Sequence, residues 1–299
     1  TIRAQMTALG FNVQRVYVTS NPNMKSYRDG TPVPQDVKNA VVEGPRAVRM
    51  LVDATNEGQL IMAHRDHGLE LGWHLPHFQI ENLEEVTSRT PSLFFSVNCL
   101  TGRFDLEGGT ECFAEKILLM DGAAPSLVAA TRPSHTWLND ALMTALFDGL
   151  WGGVIPTFPG ATISYPIFYN RLGDILNYAK SYLPISLSGS MDQIIPHVEM
   201  YHVVGDPTLR LWREEPRKTS VKAVLLDGNL QVILSDCPAG TVITVWFENQ
   251  MVKRIEPFSA QFKISLRELT VPYELLDPRT TFVCFSAPGH RFVKRYVEV

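Results

Sequence analysis

The first 215 residues alternate between short apolar runs and longer amphipathic segments. Runs bounded by turn-forming residues predict four buried strands, at 13–19, 59–64, 93–98 and 126–131. Segments with helical periodicity predict helices at 2–9, 37–56 with a break at Gly44-Pro45, 83–87, 112–120 and 137–150. Strands that alternate with helices are typical of an α/β fold with a mostly parallel sheet.

The pattern changes after a charged, proline-containing step at 214–218. Beyond that step we find no amphipathic helix, and short segments recur between turns that contain glycine or proline. They predict strands at 222–226, 230–234, 241–248, 261–265, 281–285 and 292–297. About 80 residues of this kind are typical of a small immunoglobulin-like β-sandwich. The chain is therefore predicted to have two domains, 1–215 and 216–299.

Composition and charge exclude several classes of protein. Lys and Arg number 27 against 31 Asp and Glu, so the net charge is −4, and without a basic run this argues against nucleic acid as a partner. No apolar stretch reaches the roughly 18 residues that a membrane-spanning helix needs. Four cysteines without a CxxC pair are not a disulfide scaffold, although Cys237 and Cys284 are compatible with either one disulfide or two free thiols. The chain begins at Thr1 without a signal peptide, and we expect it to be a piece of a longer precursor.

Two of the predicted strands end in reactive side chains. Strand 59–64 continues into His67-Gly68, and strand 93–98 continues into Cys99. If these strands are parallel neighbours, their carboxyl ends lie at one edge of the sheet, and His67 faces Cys99 across a cleft. A thiolate beside an imidazole is the arrangement of a Cys–His dyad. The backbone N–H groups of Gly68 and Cys99 are then placed to form an oxyanion hole.

Each of these residues also has a purely structural interpretation. A buried cysteine is commonly a small hydrophobic residue, and a histidine at a strand end is commonly just hydrogen-bonded. Histidines also cluster in one stretch, at His64, His67, His74 and His77. Such a cluster raises the question of zinc, but the spacing lacks the HExxH pattern of a metalloprotease helix, and we predict no metal site.

The chain resembles the gingipain family of cysteine peptidases, within the caspase-like clan, in five blocks that occur in the right order: EGQLIMAHRDHG followed by GW, RTPSLFFSVNCLTGRFD, CFAEKILL, SLVAATRPSHTW and VVGDPTLRLW. The resemblance covers about residues 2–212. It implies a three-layer α/β/α fold with a mostly parallel sheet, followed by an immunoglobulin-like domain. It also implies a secreted or cell-surface cysteine endopeptidase that hydrolyses protein or peptide substrates through a thioester, with His67 and Cys99 catalytic and Gly68 binding the oxyanion.

The resemblance and the spacing together suggest residues for a substrate pocket. The resemblance places Trp137 in the loop that lines the primary specificity pocket. Asp140 follows three residues later, where a buried carboxylate would recognise an Arg or Lys side chain, although an acid in a first helical turn is favourable without any pocket. Trp73 follows the His67 strand and is predicted to shape the cleft.

The chain departs from the gingipain pattern in two respects. The family's catalytic domain has an additional N-terminal half, which carries the acid that assists the catalytic histidine, and we expect that part of the same precursor as a partner. Asn98 precedes Cys99, where many relatives have a small residue. The alternative function is therefore an inactive peptidase-like binding or assembly module of a secreted surface protein. The chemistry requires no cofactor; the resemblance allows a structural calcium ion, although no EF-hand loop pattern occurs.

Overall fold

The computed structural model describes residues 2–27, 29–88, 90–155, 169–186, 190–269 and 277–298. They form two compact units, Thr1–Arg213 and Glu214–Val299. The boundary lies at the start of the charged step that separates the two sequence patterns.

The first unit is built on a four-stranded sheet whose strands lie in the order β1-β4-β5-β6. Its strands, together with a small hairpin formed by β2 and β3, are β1 Ile61–His64, β2 Gly68–Leu69, β3 Gly72–Trp73, β4 Leu93–Ser96, β5 Ser126–Ala130 and β6 Tyr201–Gly205. β1, β4 and β5 are parallel, and β6 closes the sheet in the antiparallel direction. The prediction of a mostly parallel sheet is confirmed, whereas the sequence pattern did not predict β6.

Helices cover both faces of this sheet. They are α1 Ile2–Ala8, α2 Gln35–Lys38, α3 Gly44–Glu57, α4 Phe113–Leu119, α5 Thr136–Trp151, α6 Leu172–Ser186 and α7 Met191–Met200, with 3-10 turns at Ile80–Glu85 and Glu107–Gly109. α3 begins at the Gly44-Pro45 break because proline is well tolerated in a first helical turn. Among the described helices, none is both long and apolar enough to cross a membrane.

Alternating side chains of the strands divide the core into two layers. Phe95 and Val128 pack with α5, α6 and α7 on one face, whereas Phe94 and Leu127 pack with α3 and α4 on the other. Successive side chains of a strand point to opposite faces, so one apolar strand serves both layers. The three-layer α/β/α prediction is confirmed.

The predicted strand at 13–19 is wrong. In the described part of the chain its ladder pairing is reduced to an isolated parallel bridge between Tyr17 and Val41. This segment and β1 both line a cavity of about 480 Å³, and no strand ladder joins them in the described residues. Val13 packs instead against the core layer that contains α5. The valine-rich pattern indicates only that this segment is partly buried. A strand also requires a neighbouring backbone to which it can hydrogen-bond.

The second unit contains two antiparallel sheets, ordered β10-β9-β12-β13 and β11-β8-β7. The strands are β7 Val221–Leu226, β8 Asn229–Leu234, β9 Val242–Phe247, β10 Gln250–Ile255, β11 Gln261–Ser265, β12 Thr281–Ser286 and β13 Val293–Tyr296. Inward residues such as Val232 and Val245 form a shared core, and β10 is a strand that the sequence pattern missed. Both Cys237 and Cys284 are free thiols. The immunoglobulin-like assignment of this unit stays a prediction.

Gly205 provides a test of the β5–β6 contact. Its φ is +111°, and a Cβ atom there would lie 2.6 Å from Ser126 Oγ and 2.8 Å from the Pro125 carbonyl oxygen. We expect Gly205→Ala to lower the free energy of unfolding by about 2–4 kcal/mol in urea denaturation, because both backbone strain and overpacking contribute. Gly108 has a φ of +79° with open space around it, so Gly108→Ala is the matched control and should cost only about 1 kcal/mol. Equal losses in the two variants would contradict the predicted close contact.

Candidate active site

Parallel pairing of β1 with β4 sets the geometry of the site. The register places His64 opposite Ser96, and the Val97 N–H donates to the His64 carbonyl oxygen at 3.0 Å beyond the last paired residues. Because the strands run in the same direction, the segments after them leave the sheet at one edge. The pairing therefore brings the residues after β1 beside the residues after β4, as the sequence predicts.

Gly68 and Cys99 lie in direct contact at that edge. A Cβ atom on Gly68 would lie 2.8 Å from the Cys99 carbonyl oxygen and 2.7 Å from Asn98 Cγ. Only a glycine allows the two segments to approach so closely. His67 is the residue before this contact, and its side chain is exposed. The imidazole is thus carried by a backbone that touches the Cys99 backbone.

Cys99 occupies a tight turn at the end of β4. Its side chain is half-buried, and the Thr101 N–H donates to its carbonyl oxygen at 2.8 Å. Leu100 has a φ of +61°, a left-handed conformation that a leucine rarely adopts. Such strain persists only where surrounding contacts enforce it, and it is common at functional sites. The turn holds Cys99, a partly exposed residue, at the carboxyl edge of the sheet.

A buried polar cluster supports this turn. Asn98 is fully buried; its amide nitrogen lies 2.7 Å from His64 Nδ1, and its amide oxygen accepts from Thr101 Oγ1 at 2.7 Å. Ser96 Oγ joins the cluster at 3.0 Å from both Asn98 Nδ2 and Thr101 Oγ1. Buried polar groups that are all hydrogen-bonded fix one conformation. Asn98, which departs from the gingipain pattern, thus holds the residue next to Cys99 in place.

His64 is held in its neutral form within that cluster. Its ring stacks on Trp73 with centroids 4.3 Å apart, and Nε2 lies 3.1 Å from the Leu75 carbonyl oxygen. A proton on Nε2 satisfies that oxygen and leaves Nδ1 to accept from Asn98. Burial lowers the pKa of His64 to about 4, so this histidine is neutral at physiological pH. The neighbouring histidines His67, His74 and His77 are exposed.

Trp73 and Asp140, two of the three predicted pocket residues, are held by contacts within the protein. Trp73 is only 2% exposed and donates from its indole N–H to Ser96 Oγ at 2.9 Å; it also borders the cavity between residues 13–18 and β1, and its role in a substrate pocket stays a prediction. Asp140 is not a buried carboxylate: its side chain is 64% exposed and pairs with Arg65. The expected burial is therefore not found, and the role of Asp140 in recognising a basic side chain stays a prediction.

Trp137 does present an open surface. Its side chain is 48% exposed in the first turn of α5 and stacks on His135 with ring centroids 4.9 Å apart. The loop before α5 contains Ser134, whose backbone N–H donates to Cys99 Sγ at 3.3 Å. Trp137 therefore follows, by three residues, a residue that contacts Cys99, and its pocket-lining role stays a prediction.

Three residues at the site were not predicted from the sequence, namely Ser134, Asn139 and Tyr201. Tyr201 comes from β6, which the sequence pattern missed, and Asn139 lies on the buried face of α5. The sequence signal for Asn139 is its spacing: it stands three and four residues before the apolar Leu142 and Met143, so helical periodicity places it on the buried face of α5. In the described residues, no three His, Cys, Asp or Glu side chains are grouped to hold a metal ion.

Comparison with known proteins decides the family. The family model described as peptidase family C25 matches residues 1–212, which is most of the chain. The chain belongs to peptidase family C25. The crystal structure of the Arg-specific cysteine proteinase gingipain R (RgpB) is similar to it with a TM-score of 0.55 at 16% identity, over 84% of this chain and 55% of that one. The chain thus spans about half the length of that relative.

A second solved structure, the complex of Porphyromonas gingivalis RgpB pro- and mature domains, has a TM-score of 0.56 at 16% identity. The match covers 96% of this chain and 68% of that one. No curated protein sequence matches the chain. The likeness to these structures confirms a gingipain-like fold, and the family match confirms the resemblance that the five sequence blocks indicate.

The neutral state of His64 predicts how stability depends on pH. The ordinary histidine pKa near 6.5 applies in the unfolded chain, whereas the folded value is about 4. Between these values the unfolded state binds a proton that the folded state does not, so stability falls as the pH falls from 6.5 towards 4. Burial of this one group accounts for a loss on the order of 3 kcal/mol over that window.

Urea denaturation at pH 7, 6, 5 and 4.5 measures this effect. We expect His64→Gln to be less stable than the parent at pH 7 but to have a shallower pH dependence. His77→Gln is the control, because His77 is exposed and its replacement should leave the slope unchanged. Identical slopes for His64→Gln and the parent would show that His64 is not held neutral.

Proposed function

We propose that the chain is a cysteine endopeptidase in which Cys99 is the nucleophile and His67 is the general base and acid. The observation that supports the proposal is the contact between Gly68 and the Cys99 carbonyl oxygen, because it joins the segment that carries His67 to the backbone of Cys99. Exposure of His67 and partial exposure of Cys99 leave both accessible to a substrate. Membership of peptidase family C25 supports the same reaction class.

The reaction follows from these groups and one water molecule. His67 takes the thiol proton, and the Cys99 sulfur attacks the peptide carbonyl carbon to form a tetrahedral oxyanion. As the intermediate collapses, the C–N bond breaks, His67 protonates the leaving amine and a thioester remains on Cys99. His67 then accepts a proton from water, the hydroxide attacks the thioester, and the acid product leaves as the thiol is restored.

The oxyanion is assigned to backbone donors. The N–H groups of Gly68 and Cys99 belong to the two segments that meet at the sheet edge. Fixed donors of this kind favour the tetrahedral intermediate because they are already oriented before charge develops. The left-handed Leu100 supports this assignment, since it fixes the turn that contains the Cys99 amide.

The remaining part of the proposal concerns the substrate, the partner and the location of the protein. The exposed Trp137 ring beside the Cys99 loop is suited to pack against the substrate residue before the scissile bond. The pairing of Asp140 with Arg65 gives no support for a preference for basic residues. By analogy with the complex of RgpB pro- and mature domains, we propose a segment of the same precursor as a partner and a secreted or cell-surface location.

Replacing the two reacting groups tests the proposal. We expect Cys99→Ala to reduce cleavage of a fluorogenic peptide library at least about 10³-fold, and His67→Ala to do the same, because each group enters every step. Cys237→Ala and His77→Ala are matched controls: Cys237 lies in the second unit and His77 is exposed. Both controls should keep the parent's activity.

A thiol-directed peptidyl inhibitor separates an enzyme from an inactive binding module. The enzyme should be labelled stoichiometrically at Cys99 and ahead of Cys112, whose thiol is buried and whose pKa burial raises to about 11. Slow and equal labelling of all thiols, together with unchanged cleavage by Cys99→Ala, would overturn the assignment.

A further inference from the structure

Ser134 supplies several polar contacts to the Cys99 sulfur. Ser134, in the loop between β5 and α5, directs its backbone N–H to Cys99 Sγ at 3.3 Å. The Ser134 hydroxyl oxygen and carbonyl oxygen each lie 3.6 Å from the same sulfur. One residue therefore encloses one side of the thiol with two groups able to donate and one able to accept.

Ser134 is in turn contacted by a pair of buried polar side chains, those of Asn139 and Tyr201. Asn139 Nδ2 donates to Ser134 Oγ at 2.8 Å, and Tyr201 Oη lies 2.7 Å from Asn139 Oδ1. Tyr201 is fully buried and Asn139 is 4% exposed. Three elements of the fold, β6, α5 and the β5–α5 loop, thus contribute one residue each to a line of contacts that ends at the sulfur.

The chemistry of these groups fixes the direction of the line. The Tyr201 hydroxyl has one proton and three acceptors in reach, Asn139 Oδ1 at 2.7 Å, the Asn98 carbonyl oxygen at 3.1 Å and Ser134 Oγ at 3.5 Å; the shortest contact assigns the proton to Asn139 Oδ1. The Asn139 amide nitrogen can only donate, so Ser134 Oγ accepts and keeps its own proton free for Cys99 Sγ. Every bond in the line then points towards the sulfur, and hydrogen bonds in a chain polarise one another.

Burial keeps the Tyr201 hydroxyl, the first donor of the line, protonated. Burial raises the pKa of the Tyr201 hydroxyl far above its usual range. The ring of His197 packs on Tyr201 with centroids 5.1 Å apart, and burial lowers the pKa of His197 to about 4, so it adds no positive charge at neutral pH.

We propose that Tyr201, Asn139 and Ser134 are positioning residues that form a directed hydrogen-bond relay ending on Cys99 Sγ and that this relay stabilises the thiolate. Donors aimed at sulfur favour the charged form, since hydrogen bonds to an ionised partner are stronger than those to a neutral one. The catalytic meaning of the relay rests on the proposed function. Its effect on the sulfur does not, because thiol reactivity is measured without a peptide substrate.

The Asn139→Asp variant reverses the relay with a side chain of nearly the same shape; its carboxylate also adds a negative charge that disfavours the thiolate, and the uncharged variants Ser134→Ala and Tyr201→Phe separate the two effects. A carboxylate still accepts from Tyr201, but it also accepts the Ser134 hydroxyl proton, which then no longer reaches Cys99 Sγ. The test is the rate of Cys99 alkylation by iodoacetamide from pH 5 to 10, followed by mass spectrometry of the intact chain. We expect the midpoint of this profile to rise by about one pH unit, so that alkylation well below the midpoint slows about tenfold.

Two smaller changes test the ends of the relay. Ser134→Ala removes the hydroxyl and keeps the backbone N–H, and Tyr201→Phe removes the donor that orients the Asn139 amide. Each should slow alkylation below the midpoint about threefold, as expected for one weakened hydrogen bond. Tyr178→Phe is the matched control, because Tyr178 donates to Asp148 at 2.6 Å in the same helical layer, and it should leave the alkylation profile unchanged.

Thermal unfolding of each variant shows whether the fold is kept. If Asn139→Asp does not fold, Ser134→Ala and Tyr201→Phe decide the question. Parent-like alkylation profiles in folded Asn139→Asp or, failing that, in both smaller variants would overturn the relay. A shifted profile in a chain that cleaves no peptide would uphold the relay and reject the proposed function, so the two failures are distinguishable.

Discussion

The contact of Gly68 with the Asn98 side chain and the Cys99 carbonyl oxygen is the constraint on which the site depends. β1 and β4 are parallel, and the segments that follow them meet only because residue 68 has no side chain. Parallel strands deliver their carboxyl ends to one edge, but they leave the spacing between the emerging loops open. The glycine sets that spacing, and it fixes how close an imidazole on the first loop is to a sulfur on the second.

Beneath this contact the protein buries a cluster of polar side chains. Asn98, Ser96 and Thr101 are fully buried next to the apolar strands β4 and β5. Burial of polar groups is costly unless each finds a partner, and here each does. The cluster does not add a large net stability for that reason; it specifies a single conformation of the Cys99 turn, including the left-handed Leu100.

Sequence patterns predicted the parts of the fold that depend on local order. The strands that become β1, β4 and β5 are short, apolar and bounded by turns, and each was predicted within a few residues. The segment 13–19 has the same character but lacks a partner strand, which is a non-local fact that no local pattern contains. β6 was missed because it pairs antiparallel with a strand that lies about 70 residues earlier in the chain.

The residues of the candidate site also divide into those that local sequence predicts and those that non-local packing determines. His67, Gly68 and Cys99 follow strand ends, so the meeting of the segments that carry them could be predicted from the topology. Tertiary packing decided the roles of the others: Trp73 is apolar core, and Asp140 meets Arg65 from the β1 end. The relay through Asn139 and Tyr201 joins residues that are 62 positions apart, and only the packed helix and strand reveal it.

The most direct measurement of the central claim is a crystal structure of the chain after reaction with a peptidyl chloromethyl ketone. The predicted result is a covalent bond to Cys99 Sγ, a His67 ring nitrogen within about 3.5 Å of the inhibitor's reacting carbon or of the sulfur, and the inhibitor oxygen at the N–H groups of Gly68 and Cys99. A bond to another cysteine, or a His67 ring turned away from the sulfur into solvent, would contradict it.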